Sequence, residues 1–550
     1  MAVQPREEAT FPRLTQAQLA RVAAHGRARR IAPAELLVRA GEVAPFFVVR
    51  SGQVEITQLG PRGETPVVVL GPGQFNGEAN MLSGRPSLVQ ARVTEAGEIV
   101  ELAREHLLEL VQRDAEIGEI LVRAFVLRRV RLIASGGGDV VLIGSNYCAG
   151  TLRVKEFLGR NGHPYSFVDL DNDSDVQSLL DRFHISHHDV PVLICRGELV
   201  LRSPSNTQIA ECLGLNDSIA VDHTHDVVVV GAGPSGLSAA VYAASEGLDV
   251  LVVEGRAPGG QAGSSSRIEN YLGFPTGLSG QALAGRALTQ AQKFGAQMLI
   301  ARTAARLDCG VHPFAIQLDE EAKTVRARAI VIATGAEYCK PPLPTLPRYE
   351  GVGVYYAATF MEAQLCANED VIVIGGGNSA GQAAVFLAET ARRVHMLVRS
   401  SGLAATMSRY LVHRIEDHPR IELHLCTELD GLEGDMHLER VTWRNNQTHV
   451  QETQRIRHVF VMAGALPATT WMNGCLALDA SGFIKTGPDL SREDLARAEW
   501  PKGRVPYMLE TNVPGVFAVG DVRSGSTKRV ASAVGEGSIA ISFVHRVLAE

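Results

Sequence analysis

Two glycine-rich turns and one cysteine carry most of the chemistry available to this sequence. Gly231-Ala-Gly233-Pro234-Ser235-Gly236 follows the apolar run Asp226-Val-Val-Val-Val230 and leads into a helical pattern, Leu237 to Ser245. A further apolar run, Val250-Leu-Val-Val, ends in Glu254, 18 residues beyond the last glycine. A lone GxGxxG is a weak signal. Set between a strand and a helix, with an acid at the next strand end, it is a full dinucleotide-binding unit. The first glycine makes the turn, the second lets backbone approach a pyrophosphate, and the third lets helix pack on strand. Glu254 is placed to accept from ribose hydroxyls.

A second unit starts 144 residues on. Val371-Ile-Val-Ile374 leads into Gly375-Gly376-Gly377-Asn378-Ser379-Ala380, a helix to about Ala391, and a strand from Val394 to Arg399. Two such units imply two dinucleotides, in keeping with a flavin reduced by a nicotinamide. Val398 and Arg399 stand where the second unit would carry its acid. Arginine attracts a 2′-phosphate that a carboxylate would repel, so NADPH is favoured over NADH.

The elements that must hold these turns come from a long chain. At 550 residues, 45% apolar and 21% charged, it needs three or four domains, and its 54 glycines suit several tight strand-to-helix turns. A net charge of −7 without a basic stripe argues against nucleic acid. No apolar run reaches a membrane span, and Met1 to Leu14 has no signal-peptide core, so a cytoplasmic location is expected. The eight cysteines are scattered, with no two within four residues of each other. That spacing gives neither a disulfide framework nor CxxC zinc ligands, and no metal site is expected. Breaks at Gly136-Gly137-Gly138 and between Asn216 and His225 divide the chain into 1–135, 138–218 and 224–550.

The first unit reads as short strands punctuated by glycines, closed by one long helix from Glu105 to Ile133. This β-roll with a C-terminal helix resembles the cyclic-nucleotide-binding fold. Phe75-Asn-Gly77-Glu78-Ala-Asn-Met-Leu resembles that family's phosphate cassette. The family's phosphate-pairing arginine falls at Ser87 here, with Arg85 near but offset. Two readings stay open: a cassette kept as scaffold, or one in which Arg85 substitutes and a cyclic nucleotide binds.

The second unit begins with a strand, Asp139 to Ser145, then Asn146-Tyr147-Cys148-Ala149-Gly150-Thr151 and a helix from Leu152 to Arg160. A strand (Tyr165 to Leu170), a helix (Val176 to Phe183) and a Val190-Pro191-led strand follow. This α/β order resembles the glutaredoxin–thioredoxin fold, whose proline is cis and faces the cysteine. A cysteine before a helix gains thiolate character from the first-turn N–H groups. Thr151 stands where a second cysteine would, so Cys148 can form a mixed disulfide but cannot resolve it locally. A lone cysteine is otherwise a small buried hydrophobe.

Six ordered motifs identify the rest. Gly231–Gly236, Gly259-Gly260-Gln261, Ile268-Glu269-Asn270-Tyr271, Ala333-Thr334-Gly335, Gly375–Ala380 and Gly515-Val-Phe-Ala-Val-Gly520-Asp521 together resemble low-molecular-weight thioredoxin reductases. The resemblance implies an α/β flavoprotein with two dinucleotide-binding domains: FAD on 224–345 and 468–550, NAD(P)H on 346–467. It implies FAD contacts from Gly231, Gly233, Pro234, Ser235, Gly236, Glu254, Gly260, Gln261, Asn270, Thr334, Gly335, Gly520, Asp521, Lys528, Arg529 and Val530. Gly375, Gly377, Asn378, Ser379, Ala380, Arg399 and Gly464 would serve NAD(P)H. A homodimer is expected on the same ground. One departure is decisive. The family's dithiol segment, Tyr-Cys-Ala-Thr-Cys, reads Tyr356-Ala357-Ala358-Thr359-Phe360 here.

With both cysteines replaced, electrons need another route. The first expectation is a disulfide or thiol acceptor, either a protein or a small molecule, reached through Cys148. That arrangement resembles the flavoprotein subunit of alkyl hydroperoxide reductase. Cys339 and Cys366 flank the altered segment as partners for Cys148, although Cys366 also reads as a packed helix residue. The alternatives are electron transfer without thiols, as in thioredoxin-reductase-like ferredoxin reductases, or a redox-sensing regulatory flavoprotein. Without a dithiol to serve, the nucleotide domain is expected to stay in the hydride-transfer arrangement.

Overall fold

Valine-rich runs buried on both faces read as continuous apolar stretches, and such runs form the centre of parallel sheets. The computed structural model places Thr224–Val230 in this way, parallel to Val250–Glu254 on one side and Thr324–Ile332 on the other. It describes residues 7–60, 63–78, 80–134, 140–145, 148–170, 190–195, 199–216, 223–265, 267–318, 323–435, 437–472, 474–501 and 503–550. Gln297–Ile300 and Val516–Ala518 extend this parallel sheet, and Phe314–Leu318 and Ala304–Asp308 add an antiparallel edge. The helix Pro234–Ser245 lies against the C-terminal helix Val530–Ala549, close enough that a Cβ on Gly537 would sit 2.2 Å from the Ser235 carbonyl oxygen.

The nucleotide domain is a parallel sheet in the order Val354–Tyr355, His458–Val461, Asp370–Ile374, Arg393–Val398, Ile421–Leu425. A three-stranded antiparallel sheet, Thr427–Glu433 to Gln451–Gln454, packs over it through Trp443 and Val441. The two crossings between domains pair with each other, Ala336–Glu337 antiparallel to Leu466–Pro467. The first crossing comes before the expected boundary at 345, and Leu343 already packs against the nucleotide domain's core.

Residues 7–134 form a five-stranded antiparallel sheet with helices Arg104–Arg113 and Ala115–Ala134. The single helix expected from Glu105 to Ile133 is therefore two. Asp114 leaves the helical region at φ −106° and ψ 97°, and its Oδ1 accepts from the Ile117 N–H at 3.1 Å. An aspartate that caps the next helix ends the preceding one.

In the second unit the sheet order is Ser166–Asp169, Val140–Gly144, Val192–Cys195, Leu199–Arg202. The first pair is parallel and the others antiparallel. The predicted helix Val176 to Phe183, the glycines 136–138, and Asp139, Asn146 and Tyr147 lie outside the described residues. One face of the unit's sheet carries a small cluster of its own, Ile143, Val192 and Ile194, and the other packs into the flavin domain. Val140, Leu142, Phe157, Leu158, Ile209 and Leu213 join Val229, Ala240, Met298 and Val544 in one apolar cluster. The Thr207 hydroxyl donates to the Ala301 carbonyl at 3.1 Å and Arg302 pairs with Glu211 at 2.7 Å, which seats the unit on the edge of the flavin sheet.

The cysteine spacing reads as no disulfide framework, yet two pairs of sulfurs meet in the fold. Cys195 is bonded to Cys212, and Cys309 to Cys475, across 17 and 166 residues. Close cysteine spacing is not what brings these sulfurs together. Strand-to-helix and strand-to-loop packing does so, and it leaves no short-range trace. Among the described residues no helix is long and apolar enough to cross a membrane.

Candidate flavin and nicotinamide site

The first glycine turn is shaped by close approach. Gly231 has φ +101°, and a Cβ there would lie 2.4 Å from the Ala333 carbonyl oxygen. A Cβ on Gly236 would fall 1.9 Å from the Gly231 oxygen, so only glycine lets the helix start this near the strand. Gly233 differs. A Cβ there would have only the Gly260 Cα nearby, at 3.9 Å. Gly233 is also the N-cap of Pro234–Ser245 and supplies no side-chain cap, so the first-turn N–H groups face the space between Gly233 and Gly260. That cradle fits a pyrophosphate. Glu254 closes its base, accepting from the Ala232 N–H at 2.8 Å and the Arg256 N–H at 2.8 Å.

The second stretch of the flavin domain meets the first at this turn. A Cβ on Gly520 (φ +73°) would lie 2.5 Å from Ser235 Oγ. The Gly520 N–H donates to Glu536 at 2.7 Å, and Glu536 pairs with Arg523 at 2.6 Å. Sequence reasoning missed Glu536, which sits inside a helix with no motif around it. Burial pushes the Asp521 carboxyl above its ordinary range, and the Lys528 charge pulls the other way. A group that donates to this carboxylate, such as a ribitol hydroxyl, would relieve that desolvation. Thr334 donates to the Ala468 carbonyl at 3.0 Å, Gln261 to the Ala336 carbonyl, and nothing lies within 4 Å of a Cβ on Gly335. Arg529 caps the C-terminal helix and Val530 opens it, both beside Lys528. Asn270 is exposed.

The second turn repeats the design. Gly375 has φ +139°, with the Met462 oxygen 2.5 Å from a Cβ there. Gly377 is the N-cap of Asn378–Leu387, again without a side-chain cap, and its own surroundings are open. Asn378 Oδ1 accepts from the Ser408 N–H at 2.8 Å, and Ala380 is fully buried under the turn. Arg399 is exposed at its strand end, and among the described residues its guanidinium has no partner. Gly464 stands apart from this turn. It lies at the interdomain crossing, where a Cβ would come within 2.9 Å of Cys339 Sγ.

Two contacts bring the sites together, and neither has a sequence signature. Tyr338 lies beside Ser379 and within electrostatic reach of Asp521, and burial, with the Asp521 charge, raises its phenol above the ordinary range while Ser379 pulls the other way. Arg414, on the helix Arg409–Glu416, reaches Glu269 at 2.9 Å, next to Asn270. The nucleotide turn thus faces the flavin motifs.

Cys148 is the N-cap of Ala149–Arg160, half-buried, with Gly150 against Pro191 (2.8 Å from a Cβ on Gly150 to the proline Cδ). The Val190–Pro191 bond is cis. The helix bridges both domains. At its end, Arg160 donates to the Gly260 carbonyl at 2.9 Å, and Gln281 to that of Gly159. At its start, Ala149 Cβ would lie 3.1 Å from a Cβ on Gly351, just before the segment that lacks the dithiol. In that segment the Thr359 N–H donates to Glu362 at 2.8 Å, and Glu362 is held above its ordinary range by burial and, less, by Glu156 of the bridging helix. Cys366 is fully buried, and burial pushes its thiol up to about 12.

In the cassette-like segment, Arg85 does line the cavity with Gly77, Glu78 and Ser87. That cavity holds only about 20 Å³, and Glu78 pairs with Arg129 of the helix Ala115–Ala134 at 3.2 Å.

A family model for pyridine nucleotide-disulphide oxidoreductases matches residues 225–537, and one for the cyclic nucleotide-binding domain matches 28–114. The chain is 31% identical over 337 residues to a thioredoxin reductase of Dictyostelium discoideum, covering 60% of this chain and 99% of that protein. It is 30% identical over 371 residues to NADPH-dependent thioredoxin reductase 3 of Arabidopsis thaliana, covering 64% of this chain and 65% of that one. Among solved structures, the thioredoxin reductase of T. acidophilum matches with a TM-score of 0.52 and 27% identity, over 60% of this chain and all of that one.

Proposed function

This chain belongs to the pyridine nucleotide-disulphide oxidoreductase family, and we propose that within it Cys148 takes over the work of the missing dithiol. The chain is an FAD- and NADPH-dependent oxidoreductase acting on disulfides. FAD, when bound, supplies the two-electron carrier between nicotinamide and thiol. The residues hold and orient: Gly231–Gly236 and Gly375–Ala380 seat the two pyrophosphates, Arg399 meets the 2′-phosphate, and Tyr338 and Arg414 keep the nucleotide turn against the flavin motifs.

Residues 140–216 are read as a thioredoxin-like unit. The mixed sheet, Pro191 packed beside Gly150 and the cysteine at the helix N-cap support this. The Cys148 thiolate attacks an acceptor disulfide, forming a mixed disulfide and releasing one acceptor thiolate. An electron pair and proton originating in NADPH and water then cleave the mixed disulfide. Cys148 and the second acceptor thiol are regenerated, one NADPH being oxidised per disulfide reduced. The observation that carries this reading is the Cys148 helix, clamped between Gly260 of the flavin loop and Gly351 before the altered segment.

Stopped-flow reduction by NADPH, followed by mixing with disulfide acceptors, tests it. Wild type should reduce them, and Cys148→Ser should reduce its flavin normally yet turn over no disulfide. Equal disulfide turnover in both proteins, or reduction confined to one-electron acceptors, would refute it.

The cyclic-nucleotide-like domain is read as a scaffold. A cyclic nucleotide needs a pocket of at least about 300 Å³, and Arg129 holds the glutamate that would bind its ribose.

A further inference from the structure

We propose that His395, Glu422 and His424 form a binding site for a single divalent cation of the zinc class, on the edge of the nucleotide-binding sheet. The three residues come from two adjacent parallel strands, with His395 opposite Glu422 and Leu397 opposite His424. Side chains two apart on a strand share a face, so Glu422 and His424 point the same way as His395. His395 Nδ1 lies 3.0 Å from His424 Nε2, 3.7 Å from one Glu422 oxygen, and His424 Nε2 is 3.6 Å from the other.

These distances decide between a hydrogen-bonded cluster and a coordination face. A hydrogen bond between two neutral imidazoles accounts for the 3.0 Å edge alone. It does not hold the carboxylate, which at 3.6 and 3.7 Å is too far for hydrogen bonds to either ring and whose partner is Arg393 at 3.1 Å. A tetrahedral ion with bonds of about 2.0–2.1 Å holds its ligand atoms roughly 3.3–3.4 Å apart. The observed edges bracket that value. The second histidine group, His223, His225 and Asp249, fails the same comparison. Both rings there point at one oxygen, at 2.5 and 3.0 Å, which are hydrogen-bond lengths.

The surroundings suit an ion. His395 is buried at 7% exposure while Glu422 is nearly half exposed, so a wall of fixed ligands faces an open entrance. Trp443 covers both rings, 5.5 and 5.4 Å away, and fixes their planes. Arg393 sits 3.1 Å from Glu422 and would be displaced to the rim. Two imidazoles and one carboxylate favour zinc or a late first-row ion over magnesium or calcium. Water would complete the fourth position. On binding, the proton shared between the two rings is released, so that each faces the ion with a lone pair. The bound ion would tie the edge strand to the strand that ends at Val398, next to Arg399.

The experiment titrates the reduced full-length flavoprotein with CoCl2 and follows its visible d–d bands, then displaces the cobalt with ZnCl2. One equivalent should bind without the sulfur-to-cobalt charge-transfer band that a cysteine site would give. His424→Gln and Glu422→Gln should each weaken binding at least about tenfold, while NADPH still reduces the flavin in both and so reports an intact fold. Anomalous scattering from a zinc-soaked crystal should place the ion between the three side chains. Unchanged affinity in both variants, a charge-transfer band, no saturation below millimolar metal, or an ion found elsewhere would each overturn the proposal.

Discussion

Arg414 of the nucleotide domain and Glu269 of the flavin domain are 2.9 Å apart, joining a helix to a loop with which it shares no sheet. With Tyr338 against Ser379, this pair holds the nucleotide turn toward the flavin motifs. The pair is partly exposed, at 45% and 28%, so its worth is modest. Arg414→Ala should slow NADPH-dependent flavin reduction by up to about fivefold at low salt, the equivalent of about 1 kcal/mol. The difference should fade at high salt, because screening removes what the substitution removes. Stopped-flow traces across ionic strength would check both parts.

Arg399 should decide which nucleotide is used. It has no protein partner among the described residues, so a 2′-phosphate would meet an unpaired guanidinium. Losing a charge-assisted contact costs about 1.5–3 kcal/mol, so Arg399→Ala should raise the KM for NADPH roughly 10- to 150-fold. The KM for NADH should change little. Steady-state kinetics with both nucleotides would show a uniform rise instead if Arg399 acts only on the fold.

Cysteine reactivity should separate Cys148 from Cys366. With its thiol pushed up to about 12 by burial, Cys366 carries only about one thiolate in ten thousand at pH 8. Iodoacetamide should label Cys148 in the native protein and leave Cys366 unmodified until unfolding. Peptide mass spectrometry reads this directly, and early labelling of Cys366 would contradict its packing.

Asp521 should act in opposite directions with and without FAD. Its folded pKa lies above the ordinary value because burial disfavours the charge. A carboxyl raised on folding binds more protons in the folded state. It therefore costs stability as pH climbs from the unfolded pKa through the folded one, and the cost persists above. In the flavin-free chain, Asp521→Asn should raise Tm near neutrality and lose that advantage below about pH 4. FAD affinity of the variant should fall by about 1–2 kcal/mol, since the charged acceptor is lost. Calorimetry and flavin fluorescence would give the two signs.

Much of the site was legible before any fold. Gly231, Gly233, Gly236 and Glu254 are read from spacing because a strand-turn-helix unit is local, and each residue's job follows from backbone geometry a few residues long. The same holds for Gly375–Ala380 and Arg399. The missing cysteines at 357 and 360 are equally plain, since they are absences within a short ordered motif.

Other features required the chain to come back on itself. Tyr338 meets Ser379, Arg414 meets Glu269, and Glu536 caps Gly520 from positions whose sequence neighbours give no hint. The long helix split at Asp114 because one side chain's capping bond outweighed an unbroken apolar face. The two disulfides arise from packing between distant elements, and the His395, Glu422 and His424 cluster from register between strands, neither of which short-range spacing records.

The sequence by itself determined that this chain carries two dinucleotides and has lost its dithiol, because local turns dictate phosphate cradles and local motifs dictate their own gaps. Only the tertiary structure decided where Cys148 stands. Its helix is fixed against Gly260 and Gly351 by a core shared between residues 140–215 and the flavin domain, and burial of apolar surface between distant segments sets that arrangement.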